Sequence, residues 1–127
     1  MPNIGYFEIP ADNVDRAKQF YQSLLGWKIE PTATSMDPQA FAAMQYQDVS
    51  TGEPQEGTLT MGGMYRRQMS EGITNHVMVE DIDRVLANVE KLGGKIITPK
   101  MDIPSVGLDA VIQDTEGNTI GIWQPKK

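Results

Sequence analysis

Two side chains in this sequence have the types and positions that proton chemistry needs: Glu8 and the chain's single histidine, His76. They fall on matching places of an internal repeat. The stretch 4–29, IGYFEIPADNVDRAKQFYQSLLGWKI, returns in shorter form as 73–96, ITNHVMVEDIDRVLANVEKLGGKI. Ile9 falls on Val77, Asn13 on Asp81, Asp15 on Asp83 and Arg16 on Arg84; the second helix is one residue shorter, and Leu25 and Gly26 then fall on Leu92 and Gly93. An imidazole exchanges protons near neutral pH, and a carboxylate beside it can hold its tautomer or act as a base. The pair also has a structural alternative, in which His76 satisfies a hydrogen bond beneath a sheet and Glu8 anchors a neighbouring backbone group or arginine. With no cysteine, thiolate nucleophiles, disulfides and cysteine-based zinc sites are excluded.

The elements that must position these residues follow from periodicity. Residues 4–9 alternate as a half-buried strand, with Phe7 and Ile9 toward a helix and Tyr6 and Glu8 on the other side. Asp12 or Asn13 caps that helix, whose inner face carries Val14, Ala17, Tyr21 and Leu24, and Gly26 stops it. Strands are predicted at 27–30, 41–47 and 58–65, the last broken by Gly62 and Gly63, with loops at 31–39 and 48–57. The second half repeats the order: a strand at 73–79, a helix capped by Asp81 with a stripe of Ile82, Val85, Leu86, Val89 and Leu92, then strands at 95–98, 106–113 and 119–124. A loop is expected at 99–105, with Pro99 to Gly107 a candidate cover for a site, and DTEGN at 114–118 makes a hairpin turn. Asp109, between Leu108 and Ala110, can face either way. The polar stretch 66–72 separates the halves, giving one domain, 1–127, of two modules, 1–68 and 69–127.

Composition narrows the function classes. Eleven basic against 17 acidic residues give a net charge of −6, which repels phosphate backbones and argues against nucleic-acid binding. No run of 18 apolar residues and no basic-then-apolar start appear, so neither a membrane span nor a secretory signal is expected, and the expected location is cytoplasmic. Eight methionines suit either core filling or a surface that adapts to apolar ligands.

The paired helix starts, the FY of Phe20 and Tyr21, the LG of Leu25 and Gly26, and the closing DTEGNTIGIWQ together resemble the vicinal oxygen chelate superfamily, the glyoxalase, bleomycin-resistance and extradiol dioxygenase group. The resemblance covers nearly the whole chain. It implies an α+β fold of two tandem βαβββ modules, with curved mixed sheets around a concave cavity and helices outside. Family members of this length often form homodimers, and Trp27, Tyr65 and Arg66 are candidate surface contributors.

Metal-dependent members carry His, Gln or Glu near the start of each module's first strand and Glu on each module's last strand, where a divalent ion polarises two substrate oxygens. Those positions fall here on Tyr6, Thr74, Gly121 and Gly62 or a neighbour of it. The usual ligands are missing, so no metal or other cofactor is predicted. What the resemblance leaves is a ligand-sized cavity with Glu8 and His76 as its candidate catalytic residues. Tyr6, Met44, Met61, Thr74, Met78 and Trp123 are its candidate ligand-binding residues. The expected function is binding of a small apolar or aromatic molecule without the family's metal. The alternative is a lyase, an isomerase or a dioxygenase-related enzyme of the superfamily, using Glu8 and His76 as acid and base or as an atypical metal site.

Overall fold

The structure, a computed structural model, describes residues 2–32 and 43–126. Its elements run β1 (Asn3–Ala11), α1 (Val14–Leu25), β2 (Lys28–Pro31), β3 (Gln47–Ser50), β4 (Met61–Arg66), β5 (Thr74–Met78), α2 (Ile82–Val89), β6 (Lys95–Ile103), β7 (Gly107–Gln113) and β8 (Thr119–Pro125). This is the α+β, twice-repeated βαβββ order that the sequence implies. The chain divides into two compact units, one of Tyr6–Ile73 and one that begins at Thr74 and takes in the chain start up to Gly5.

In the first unit the strand order is β2-β3-β4-β1, antiparallel except for β4 and β1, which are parallel. Helix α1 starts where predicted. Asn13 has extended backbone and its side chain accepts the Arg16 N–H at 3.0 Å, satisfying one of the donors that a helix start leaves open. It stops at Gly26, whose φ of 71° suits a residue without Cβ. Val14, Ala17 and Tyr21 pack with Phe7, Ile9, Ala11, Trp27, Ile29, Val49 and Met64. Tyr21 stacks on Trp27 with ring centroids 5.1 Å apart, so Trp27 belongs to the core and Tyr65 is buried as well, rather than both lying at the surface. Leu24, expected inside, is 63% exposed. It borders an open depression along α1 with Arg16, Gln19, Phe20 and Ser23.

The second unit has the matching order β5-β8-β7-β6, with β5 and β8 parallel. Asp81 caps α2 by accepting the Arg84 N–H at 3.2 Å, and the Gln124 side chain accepts the Ile82 N–H at 2.9 Å. Val79, Ile82, Ala110 and Ile122 form the buried centre, flanked by Val77, Val85, Leu86, Leu108, Ile112 and Ile120. After Val89 the helix tightens into a 3-10 turn, Glu90–Leu92, which ends at Gly93 with φ 97°. The tighter turn carries Leu92 off the apolar stripe and leaves it exposed.

Four expected strand and loop boundaries are also corrected. The predicted strand 41–47 is not formed where it is described: Ala43 and Met44 are helical, Gln45 has φ 51°, and the strand begins only at Gln47. A left-handed residue reverses the chain there, against the alternation of side chains. Residues 41 and 42, like most of the loop 31–39, lie outside the described residues. The loop 48–57 correspondingly loses its first three residues to β3. Strand β4 begins at Met61 and runs unbroken through Gly62 and Gly63. The expected loop 99–105 is largely strand: β6 continues to Ile103 along β7, its Pro99 accommodated by register shifts after Ile96 and Thr98.

Candidate functional site

In each unit one sheet face packs on the helix and the other carries polar groups. In the first unit Phe7 and Ile9 join the helix-side core, and the alternation turns Tyr6 and Glu8 to the opposite face. Tyr46, just before β3, joins them. Its hydroxyl donates to Glu8 Oε2 at 2.8 Å and lies 2.7 Å from the Tyr6 hydroxyl. Because the Tyr46 proton is directed at the carboxylate, Tyr6 donates to the Tyr46 oxygen, and the three groups form a directed chain from Tyr6 through Tyr46 to Glu8. The Tyr46 ring also lies parallel to Tyr65, with centroids 6.3 Å apart.

Burial, then the neighbouring Glu8 charge, pushes the Tyr46 hydroxyl far above its ordinary range; burial does the same to Tyr6, outweighing the opposite effect of its hydrogen bond to Tyr46. Both phenols are therefore protonated at neutral pH and act as hydrogen-bonding hydroxyls. Gly63 makes room for them. A Cβ at that position would overlap both hydroxyls, just as one at Gly62 would overlap the Phe7 ring.

In the second unit His76 and Thr74 are buried on β5. His76 pairs in register with Gly121, and its imidazole fills the space that a Cβ at 121 would need. On the adjacent β7, Asp109 pairs with Trp123 of β8, which places it on the same face as Gly121 and His76. Its Oδ1 lies 3.7 Å from His76 Nδ1 and is buried without a hydrogen-bond partner among the described residues. Trp123 is half-buried, its indole N–H donating to the Val106 carbonyl at 3.1 Å. Met78 is half-buried and covers Gly5, where a Cβ would meet its sulfur.

The candidate residues thus separate into groups. Tyr6 and Glu8 share one hydrogen-bond chain; Thr74, His76, Met78 and Trp123 share one face of the second unit. Met44 is half-buried in a helical turn, and Met61 is 63% exposed at the start of β4. Sequence reasoning missed Tyr46 and left Asp109 undecided. Asp109 was within its reach, since the hairpin at 114–118 sets it opposite Trp123, whereas Tyr46 follows the left-handed Gln45, where the expected alternation does not hold.

The metal positions are now fixed in register. Glu8 pairs with Gly63 as His76 pairs with Gly121, so Gly63 is the first unit's counterpart of Gly121. The residues present do not fit the family's divalent ion. Two of the four positions are glycines whose side-chain space is filled by tyrosine hydroxyls or imidazole, and the Tyr6 phenol is held protonated. Among the described residues no three His, Asp or Glu side chains converge to hold a metal. Among them, too, no helix is long and apolar enough to cross a membrane.

These features agree with comparison to known proteins. The profile of the Glyoxalase/Bleomycin resistance protein/Dioxygenase superfamily matches residues 3–122, and the chain belongs to that superfamily. A glyoxylase-like domain-containing protein of Didymella fabae is 30% identical over 122 residues, covering 94% of this chain and 91% of that protein. A putative glyoxylase of Mycobacterium tuberculosis is also 30% identical over 122 residues, 93% of this chain, but the match spans only 42% of that longer protein. Among solved structures, methylmalonyl-CoA epimerase of Streptomyces coelicolor in complex with 2-nitronate-propionyl-CoA superposes with a TM-score of 0.69 over 100% of this chain and 99% of its own, at 10% identity. The epimerase of Mycobacterium tuberculosis gives 0.66 at 12% identity, covering 97% of this chain and 87% of its own. At these identities the likeness is one of fold.

Proposed function

We propose that this protein binds a small, largely apolar or aromatic molecule that donates hydrogen bonds, and does so without the superfamily's metal. The observation that carries the reading is the Tyr6–Tyr46–Glu8 chain, an oxygen-rich patch that ends in an acceptor carboxylate. Such a patch favours a ligand N–H or O–H over a carbonyl or an anion, while Met44 and Met61 of the same unit offer adaptable contact surface. The assembly we expect is a homodimer.

The test is a panel of small aromatic compounds in matched pairs, with and without an amine or hydroxyl, measured by calorimetry against tag-free protein. Donor-bearing members should bind, and Tyr46→Phe should weaken them by about tenfold, the equivalent of one hydrogen bond to a charged network. Equal affinity within each pair would sink the reading. About one equivalent of divalent ion retained by the purified protein would sink its metal-free part.

One observation favours a second reading, a metal-free lyase or isomerase. Glu8 and His76, two groups able to carry protons, hold equivalent places in the two units. Exchange of a bound ligand's C–H in deuterated water, lost in both Glu8→Gln and His76→Ala, would establish it.

A further inference from the structure

Strand register sets a further carboxylate beside the tyrosine chain of the first unit. Glu30 of β2 lies opposite Asp48 of β3, Asp48 opposite Gly63 of β4, and Gly63 opposite Glu8 of β1, so the four form one row across the sheet. Ile29 and Val49 belong to the helix-side core, which turns Glu30 and Asp48 to the face that carries Glu8. Gly63 has no side chain, and the Tyr46 and Tyr6 hydroxyls lie over it. Glu8 therefore stands on one side of these hydroxyls and Asp48 on the other, their backbones two strand spacings, about 10 Å, apart.

The charges of this face are not balanced. Lys28 pairs with Glu30 at 3.7 Å, and Arg67, whose charge reaches Tyr65, pairs with Asp12 at 2.8 Å. Asp48 is exposed, and among the described residues it has no hydrogen bond and no ion pair. Its charge is felt within the chain, where it opposes ionisation of the Tyr6 hydroxyl. Next along the same face the Tyr46 and Tyr65 rings lie parallel, and aromatic faces attract cations as carboxylates do. A neutral hydroxyl gains only a hydrogen bond from such surroundings; an ammonium gains the hydrogen bond and the field.

We propose that Asp48 is a specificity-determining residue of this patch, selecting a ligand that brings its donor as a protonated amine on an apolar or aromatic body over one that brings a neutral hydroxyl. The inference deepens the binding reading above and rests on it. It involves the first unit alone.

The probes are benzylamine, charged at neutral pH, and benzyl alcohol, its neutral counterpart, titrated into tag-free protein and followed by NMR shifts. In low salt benzylamine should bind about fivefold more tightly than benzyl alcohol, and the ratio should shrink toward one as sodium chloride is raised to about 1 M. Asp48→Asn should cut the ratio by about threefold, the scale of one exposed ion pair. Asp15→Asn, the same charge change on exposed α1 surface at the helix side of the sheet, should leave it alone. Benzylamine that binds no better than benzyl alcohol would overturn the proposal, whether or not the variant folds. So would a folded Asp48→Asn protein with the wild-type ratio. Benzyl alcohol that binds with no preference for the amine rejects the role of Asp48 and leaves the binding reading standing; failure of both compounds rejects the two together.

Discussion

His76 occupies the side-chain space of Gly121. The two residues are register partners on parallel strands, and a Cβ at 121 would overlap the imidazole. Gly121→Ala should therefore destabilise the protein by about 1–3 kcal/mol, the usual cost of forcing an extra carbon into a packed site. Denaturant unfolding measures the loss, and the histidine ring resonances should move with it. An unchanged midpoint would mean that the ring rotates away without cost.

Tyr46 holds the middle of a hydrogen-bond chain and Tyr6 its end. Tyr46→Phe removes a donor to a partly buried carboxylate as well as the acceptor of Tyr6, and should cost about 1–3 kcal/mol. Tyr6→Phe removes one donor and should cost less. A double-mutant cycle should return a coupling well above zero; additive losses would show that the two hydroxyls do not act together.

Tyr6, Tyr46 and Tyr65 each have a hydroxyl raised above the ordinary tyrosine range, burial being the first cause in all three. A phenol raised on folding keeps its proton longer in the native than in the unfolded chain. The resulting stability is complete below the unfolded value of about 10 and is lost as pH rises through the folded values. Alkaline titration should therefore show phenolate absorbance from these residues appearing together with the loss of circular dichroism. A phenolate signal complete near pH 10 in folded protein would contradict the burial.

Asp81 and Asn13 cap equivalent helices with the same geometry. Asp81→Ala and Asn13→Ala should each lower stability by about 1 kcal/mol. Replacing Asp81 by Asn keeps the acceptor and should restore most of the loss, which thermal unfolding of the variants can check.

Much of this was legible in the chain. Helix starts and stops carry local chemistry, an Asn or Asp acceptor and a left-handed glycine, and those at Asn13, Gly26, Asp81 and Gly93 stand where the residues place them. The face of Glu8 followed from strict alternation against Phe7 and Ile9. What failed depended on neighbours distant in sequence. Residues 99–103 read as a loop because Pro99 and Pro104 bracket them, yet β7 supplies a partner strand and bulges absorb the misfit. Gly62 and Gly63 read as a strand break, but the rings of Phe7, Tyr6 and Tyr46 require their emptiness. Asp109 carries no signal in its own stretch; its direction follows only once the hairpin at 114–118 is used to set it opposite Trp123.

The parallel closure of each unit has a consequence for how the chain comes to be folded. Phe7 finds its neighbour in Gly62, and Asn75 in Ile120, so each first strand must wait until its unit is almost fully synthesised. Until then β1 and β5 present unpaired, partly apolar edges to the cell. The antiparallel β7–β8 hairpin, closed by the Asp114 turn, needs no such delay and is the natural first structure of its half.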